Sequence, residues 1–375
     1  SQNGTHQVSY SQPNSSINGS IWQQIGQDVE GENSMDYYGF SSSMNSSGNR
    51  IVVGGYFNDG SGVDAGHVRV FENNGNNWVK LGQDIDGEVS GDQFGFSTSI
   101  DSSGNIIAVG AYANDGNGLS SGHVRVFNYD GSSWVQIGQD IDGDFPGDQS
   151  GFSISISSNG FRIAIGSPLS DGNGIDAGLL KVFQWNGNSW SQLGNDIYGD
   201  FSQDHFGHSV SISNNGEVVS SGGYANNENG NGSGHVKVYD FNGGFWIQRG
   251  NDLYGDSIGD QMGHAVDLNY QGNRIAISSP FSDYNGRSSG HVEIYNWNGS
   301  NWSRLGQKIL GDSGHVMGLY SAVSLNDHGD VVVIGSTMQQ TGTPEFGNVK
   351  VYKLYGSHWL QYGSTVYGEG SNDHF

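Results

Sequence analysis

A tryptophan returns along this chain at a nearly fixed interval, at Trp22, Trp78, Trp134, Trp190, Trp246, Trp302 and Trp359; five gaps are 56 residues and the last is 57. A period of this length constrains the fold before any local pattern does. Each repeat is a unit that cannot bury its apolar face alone and has to stack on its neighbours. A chain of 375 residues would ordinarily divide into two or three domains. The unbroken repeat instead makes one stacked body.

Residues 92–139 show the plan of a unit. Phe94-Gly-Phe-Ser-Thr-Ser-Ile100 alternates as a half-buried strand does. Ser102-Ser-Gly-Asn105 is a tight turn. Ile106-Ile-Ala-Val-Gly-Ala111 is continuously apolar, the pattern of a strand buried on both faces. A longer loop, Asn114 to Gly122, leads to a third strand, His123-Val-Arg-Val-Phe127. A hairpin turn then leads to a fourth, Ser133-Trp-Val-Gln-Ile-Gly138. No segment carries a helical period. Four short strands in a repeat of this length match one blade of a β-propeller.

Six complete units follow one another at about 36–83, 92–139, 148–195, 204–251, 260–307 and 315–363. Residues 1–20 are polar, with Thr5–Tyr10 resembling a third strand and Ser20–Gly26 a fourth. At the other end, Asp373-His-Phe375 repeats the Asp204-His-Phe206 that opens the fourth unit. The sequence therefore predicts an all-β, seven-bladed propeller of four-stranded antiparallel blades over residues 21–375. Its seventh blade would be split between residues 5–28 and 367–375. About two strands of that blade are missing, so the expectation is either further chain or a neighbouring molecule at the gap. The neighbour would be another copy of the chain or an adjoining domain.

Composition narrows the function classes. A net charge of −24, from 38 acidic and 14 basic residues, excludes a nucleic-acid footprint. No apolar run reaches the ~18 residues that span a bilayer, so no membrane insertion is expected. Cysteine is absent, which removes disulfides, thiolate metal sites and cysteine nucleophiles. The 63 glycines fall at regular turn positions between apolar strands, the pattern of a folded chain.

The repeat resembles the FG-GAP repeat of integrin-type β-propellers. The FG element stands as Phe94-Gly95 and Phe206-Gly207, and in altered form as Tyr38-Gly39, Ser150-Gly151 and Met262-Gly263. The GAP element stands as Gly110-Ala111-Tyr112, Gly166-Ser-Pro168 and Ser278-Ser-Pro280, and the following strand as Gly66-His-Val-Arg-Val-Phe71. The resemblance covers nearly the whole chain and implies a seven-bladed propeller. It does not carry over the family's calcium sites. The DxDxDG-type loop between the first two strands is replaced by short turns such as Asn45-Ser-Ser-Gly48 and Ser102-Ser-Gly104.

Two loop series are the candidate sites. The acidic connectors between units read Asp84-Ile-Asp86-Gly-Glu88 with Asp92, and Asp140-Ile-Asp142-Gly-Asp144 with Asp148. Alternating carboxylates beside glycines can turn several hard oxygens toward Ca2+. The competing reading is that they are turn formers, with the carboxylate of Gly-Asp-Gln-Phe-Gly capping the turn before the inner strand. The second series places Asp59, Asp115, Asp171 and Asp283 in loops between the second and third strands, suited to sugar hydroxyls or to plain turn formation. Trp185 and Trp297 break the tryptophan period near hairpin turns and are the aromatic candidates for ligand contact. His67, His123, His235 and His291 share one strand position and suit packing better than a shared metal, since a ring holds equivalent residues apart. Asn-x-Ser/Thr sequons begin at Asn3, Asn14, Asn18, Asn45, Asn231, Asn298 and Asn301.

No unrepeated catalytic constellation is legible, and an active site needs one. The expectation is a non-enzymatic extracellular or cell-surface structural or adhesive propeller, working through protein or glycan contacts and able to join a larger assembly. The alternatives are a lectin with sugar sites repeated in its blade loops, and the propeller portion of a polysaccharide-active enzyme. An unrepeated His/Tyr/Arg cluster in the central cleft would favour the last.

Overall fold

The computed structural model describes residues 21–320, 322–338 and 347–369. Among them there is no helix, and the strands form six antiparallel sheets. Blade 1 pairs Tyr38–Met44, Arg50–Gly55, His67–Asn73 and Trp78–Lys80 in that order. A two-residue strand in the connector, Ile85–Asp86, then returns to pair with His67 and Val68 on the same edge. The edge of the third strand is thus shared by two short strands, and little unpaired edge is left for another chain to join. Because of this return, each blade ends a few residues beyond the unit boundary read from the sequence. The second strands are the most buried; every residue of Ile106–Ala111 is inside.

Blades stack through their faces. Val52, Val68 and Val70 of blade 1 meet Ile100, Ile107, Val109, Phe127 and Trp134 of blade 2 in one buried cluster, and four similar clusters join blades 2 to 6 in turn. The tryptophans fasten the outer ends of these interfaces. The indole Nε1 of Trp134 donates to Leu81 O at 2.8 Å, and that of Trp190 to Ile137 O at 3.0 Å. Trp246 does the same to Leu193 O, and Trp359 to Leu305 O, both at 2.7 Å. A glutamine clips the same strand: Gln139 Nε2 donates to Trp190 O at 2.7 Å, and Trp190 N donates back to Gln139 Oε1 at 3.2 Å.

At the inner ends, the two halves of the FG-GAP signature prove to be a single contact. A Cβ on Gly110 would overlap the carbonyl oxygen of Gly151 in the next blade, and Gly54 stands in the same relation to Gly95. Only glycine lets the backbones approach this closely. Beside each contact a serine bridges the blades, as Ser97 Oγ donates to Gly151 O at 2.7 Å.

Around the axis, one residue per blade forms a ring of aromatic side chains: Phe40, Phe96, Phe152, His208, His264 and Tyr320. Successive ring centroids lie 5.0, 4.9, 5.0, 4.5 and 5.5 Å apart, and Tyr320 returns to Phe40 at 6.2 Å. Six blades therefore surround the axis, not the seven expected. The terminal segments explain the difference. Val366–Tyr367 pairs back onto Asn348–Tyr355 and so finishes blade 6 rather than starting another. Residues 21–28 form no strand. They cross between the last blade and the first: Trp22 packs edge-on against Tyr362 at 6.0 Å, and Ile25 O accepts the indole proton of Trp78 at 2.9 Å. The rest of the split blade, residues 5–20 and 370–375, lies outside the described residues.

The six blades have five buried interblade clusters among the described residues, so blades 6 and 1 meet at a seam. Met44 on blade 1 is 56% exposed where its counterpart Ile100 is 8% exposed, and Val333 on blade 6 is 39% exposed where Ala276 is fully buried. The seam is bridged at its inner end by Phe40 and Tyr320 and at its outer end by residues 21–28.

Candidate functional site

In blades 1 to 5 the connectors and the loops between second and third strands share one face of the propeller and are tied to each other. Gly91 N donates to Val63 O at 2.9 Å, Gly147 N to Leu119 O at 2.9 Å and Gln203 N to Ile175 O at 2.7 Å. Each loop is also folded on its own side chains. Asp59, Asp115, Asp171 and Asp283 accept, through Oδ1, the backbone N–H five residues later at 2.7–2.9 Å. One oxygen of each exposed carboxylate is thus committed to the turn. Buried Asn58 donates from Nδ2 to Asp36 Oδ2 at 2.8 Å, tying loop to connector.

The connector carboxylates divide into two groups. Asp92 and Asp148 are buried and accept from the N–H of Val89 and Phe145, three residues back, at 2.9 and 3.2 Å. This is the turn-capping arrangement. The others face basic side chains of the protein itself. Arg69 holds Asp84 with Nε and Nη2, at 2.9 and 3.1 Å, and also pairs with Glu32. Although burial opposes the charge, the hydrogen bonds from Arg69 and Lys80 hold the Asp84 carboxyl down at about 2. Asp144 pairs with Lys181, Asp200 with Lys237, Asp256 with Lys308 and Asp312 with Lys350. Asp86 is exposed, and its backbone oxygen accepts from Arg125 at 3.2 Å.

Blade 2 departs from this scheme. The Nε of Arg125 donates to Gln136 Oε1 at 3.0 Å, and the guanidinium lies over the rings of Phe127 and Phe94, at 5.1 and 5.3 Å. It stays 3.7 Å from Glu88 and 4.0 Å from Asp140. A cleft of about 600 Å3 opens here, lined by Glu88, Asp92, Asp115, Asp140, Asp142 and His123 together with Val89 and Leu119. Of the eight connector carboxylates singled out in the sequence, the structure gathers four in this cleft; Asp84 and Asp86 belong to blade 1, and Asp144 and Asp148 to the interface with blade 3.

The remaining candidates fall elsewhere. Trp185 and Trp297, expected at exposed turns, are half-buried. They pack against Trp190 and Trp302 at 5.3 and 5.4 Å and over Gly138 and Gly250 of the preceding blade. Asn45 is buried, and its amide donates to Asn49 Oδ1 and Ser47 Oγ at 2.9 and 3.0 Å, which leaves no room for a glycan. Asn231, Asn298 and Asn301 are exposed in turns; Asn3, Asn14 and Asn18 lie outside the described residues. His67, His123, His235 and His291 are each buried in their own blades, as the ring requires.

Sequence reading missed the polar half of the axial ring. His205, His208, Tyr224, His264 and Tyr320 gather there, with Tyr224 Oη 2.9 Å from His205 Nδ1 and Tyr320 N donating to His264 Nδ1 at 3.3 Å. Burial drives the His264 imidazole down to about 4 and that of His208 well below the usual range, so both are neutral at physiological pH. The signal was available: His208, His264 and Tyr320 occupy the position that holds Phe40, Phe96 and Phe152 in blades 1 to 3.

Residues 85–127 match the FG-GAP repeat model, a segment that contains Glu88, Asp115 and His123. The chain carries an FG-GAP repeat. Solved structures similar to the chain are propellers of diverse kinds. A candidate 6-phosphogluconolactonase from Bacteroides uniformis aligns over 88% of this chain and 86% of its own at 11% identity and a TM-score of 0.58. Raptor from Chaetomium thermophilum aligns over 92% and 26% at 12% identity and 0.54. TolB from Acinetobacter baumannii aligns over 87% and 65% at 13% identity and 0.50. At these identities the likeness is one of fold. No curated protein matches the chain.

Proposed function

We propose that this FG-GAP propeller is a non-catalytic extracellular interaction module that engages a protein partner through the face bearing the paired loops. The observation behind this reading is an arc of apolar side chains at the loop tips of consecutive blades. Val63 with Val89, Leu119 with Phe145, and Ile175 with Phe201 are each more than half exposed, and Ile258 continues the series. Apolar side chains gathered on one face and rimmed by polar groups mark a docking surface. The rim is acidic, with Asp59, Asp64, Asp115, Asp171 and Asp176, so the matching partner presents apolar and basic groups. Several equivalent loops also favour weak multivalent attachment. The test is attachment of protein-coated beads to cells, comparing the wild type with the triple variant Val63→Ser, Leu119→Ser, Ile175→Ser. The reading expects at least about a tenfold loss with an unchanged melting temperature. Attachment that survives the triple variant sinks it, and selective glycan-array binding would turn the reading to a lectin.

The seam supports a second element of this proposal. Its apolar faces suit a second copy of the chain, and sedimentation velocity would then show self-association that Met44→Lys removes. A strictly monomeric wild type would overturn the self-association.

A further inference from the structure

At one connector position Glu32, Asp144, Asp200, Asp256 and Asp312 are each hydrogen-bonded by a lysine or arginine of the protein, whereas the equivalent Glu88 has its nearest cation, Arg125, only at 3.7 Å. The difference can be traced position by position. The third strand supplies the cation as Arg69, Lys181, Lys237 and Lys350, each paired directly with a connector carboxylate. In blade 5 the third-strand position is Glu293, and the cation comes instead from Lys308, which reaches Asp256 at 2.5 Å. In blade 2 the equivalent Arg125 is drawn aside by Gln136 and the two phenylalanine rings, and makes no hydrogen bond to either carboxylate.

What faces the cleft instead is an imidazole. His123 is 2% exposed, and its Nδ1 points toward Asp140 Oδ2 and Asp142 Oδ1, each at 3.9 Å, too far for a hydrogen bond. Its Nε2 is buried and has no partner either. A buried histidine with both ring nitrogens unpaired is costly unless something else engages it, and His235 of blade 4 is unpaired in the same way, so the neighbouring cation is what separates the two blades. Donor atoms of Glu88, His123 and Asp140 all lie within 4.8 Å of one another. Ligands on one tetrahedral zinc ion stand about 3.4 Å apart, so small side-chain rotations close the set. Blade 4 provides the internal contrast. Asp200, Glu228, His235 and Asp252 converge in the same way, but the ammonium of Lys237 sits among them, paired with Asp200 and 3.5 Å from Asp252.

We infer that the blade 2 cleft binds one first-row transition-metal dication through Glu88, His123 and Asp140, with Asp142 close enough to assist. The imidazole sets the class: nitrogen with carboxylate oxygen suits zinc and its neighbours, whereas calcium takes oxygen ligands alone. Two acidic groups and a neutral imidazole give the set a net negative charge, and the guanidinium 3.7 Å from Glu88 limits the affinity to a moderate value. The site is distinct from the apolar arc, although Val89 and Leu119 edge both.

The test is calorimetric titration of the full, tag-free chain with zinc chloride, supported by the visible spectrum of bound cobalt. The expected result is one ion per chain with micromolar affinity. His123→Ala and Glu88→Gln should each weaken binding at least about tenfold, while Asp200→Asn in blade 4 leaves it unchanged. Glu88 lies at the surface, its side chain 45% exposed, so its variant reports on the site even where His123→Ala fails to fold. Absence of zinc binding by the wild type overturns the inference. So does binding that survives Glu88→Gln or is lost on Asp200→Asn, since either result would put the ion elsewhere.

Discussion

Two aspartates show how far the fold moves chemically identical residues apart. Asp84 is held down at about 2 because Arg69 and Lys80 outweigh its desolvation. Asp267 is pushed up to about 6, chiefly by burial, despite the N–H of Leu325 at 2.7 Å and the hydroxyl of Ser211 at 3.0 Å. It occupies the inner-strand position filled by Ser43, Ser99, Ser155 and Ser211, whose hydroxyls accept the N–H of Ile100, Ile156, Ile212 and Leu268. The folded-state pKa of Asp267 lies above its unfolded value. Its contribution to stability is therefore complete below about pH 4 and is lost as pH rises through about 6. Asp267→Ser should accordingly stabilise the protein at pH 7 by roughly 1–2 kcal/mol, and the gain should vanish near pH 4. Urea titrations at the two pH values check this. Neither Asp267 nor the displaced Arg125 could be singled out from sequence, because both follow from what neighbouring strands place around them.

At the scale of the element, the outer strand and its connector act as a fastener. Trp190 is almost fully buried, its indole N–H reaches back to Ile137, and Gln139 clips its backbone in both directions. The tryptophan period was visible in the sequence, and the structure shows that it marks the packing between blades. The paired glutamine was equally visible but had no assigned role, since only the assembled blades bring Gln139 opposite the strand 51 residues later. Trp190→Phe keeps most of the packing and removes one hydrogen bond, so it should cost about 1 kcal/mol. Trp190→Ala also empties the space between blades 2 and 3 and should cost roughly 3–5 kcal/mol. Equilibrium denaturation separates the two. A similar cost for both would show that the hydrogen bond, not the ring, carries the fastening.

For the whole molecule, the decisive quantity is the number of interblade cores. Blades 2 to 5 are covered on both faces, whereas blades 1 and 6 each present one face at the seam. Local stability in a stacked array follows its nearest-neighbour interfaces. Amide exchange should therefore be fastest, among the inner and second strands, in Tyr38–Met44 and Val331–Met338, and slowest in Ile106–Ala111 and Arg162–Ser167. Hydrogen-exchange mass spectrometry tests this, and uniform protection through all six blades would contradict it.

The sequence by itself determined the repeat, the four-stranded unit, the all-β class and the tryptophan period, because these depend on local periodicity repeated in register. It located the acidic loops but left open whether they cap turns or bind ions. The tertiary structure decided the number of blades, since closure depends on where residues 21–28 and Val366–Tyr367 pack rather than on any unit. It also paired four connector carboxylates with cations 37 or 38 residues further along and Asp256 with Lys308, and left Glu88 without a directly bonded cation. That distinction comes from the position of a single arginine, set by a glutamine and two aromatic rings that no local pattern places around it.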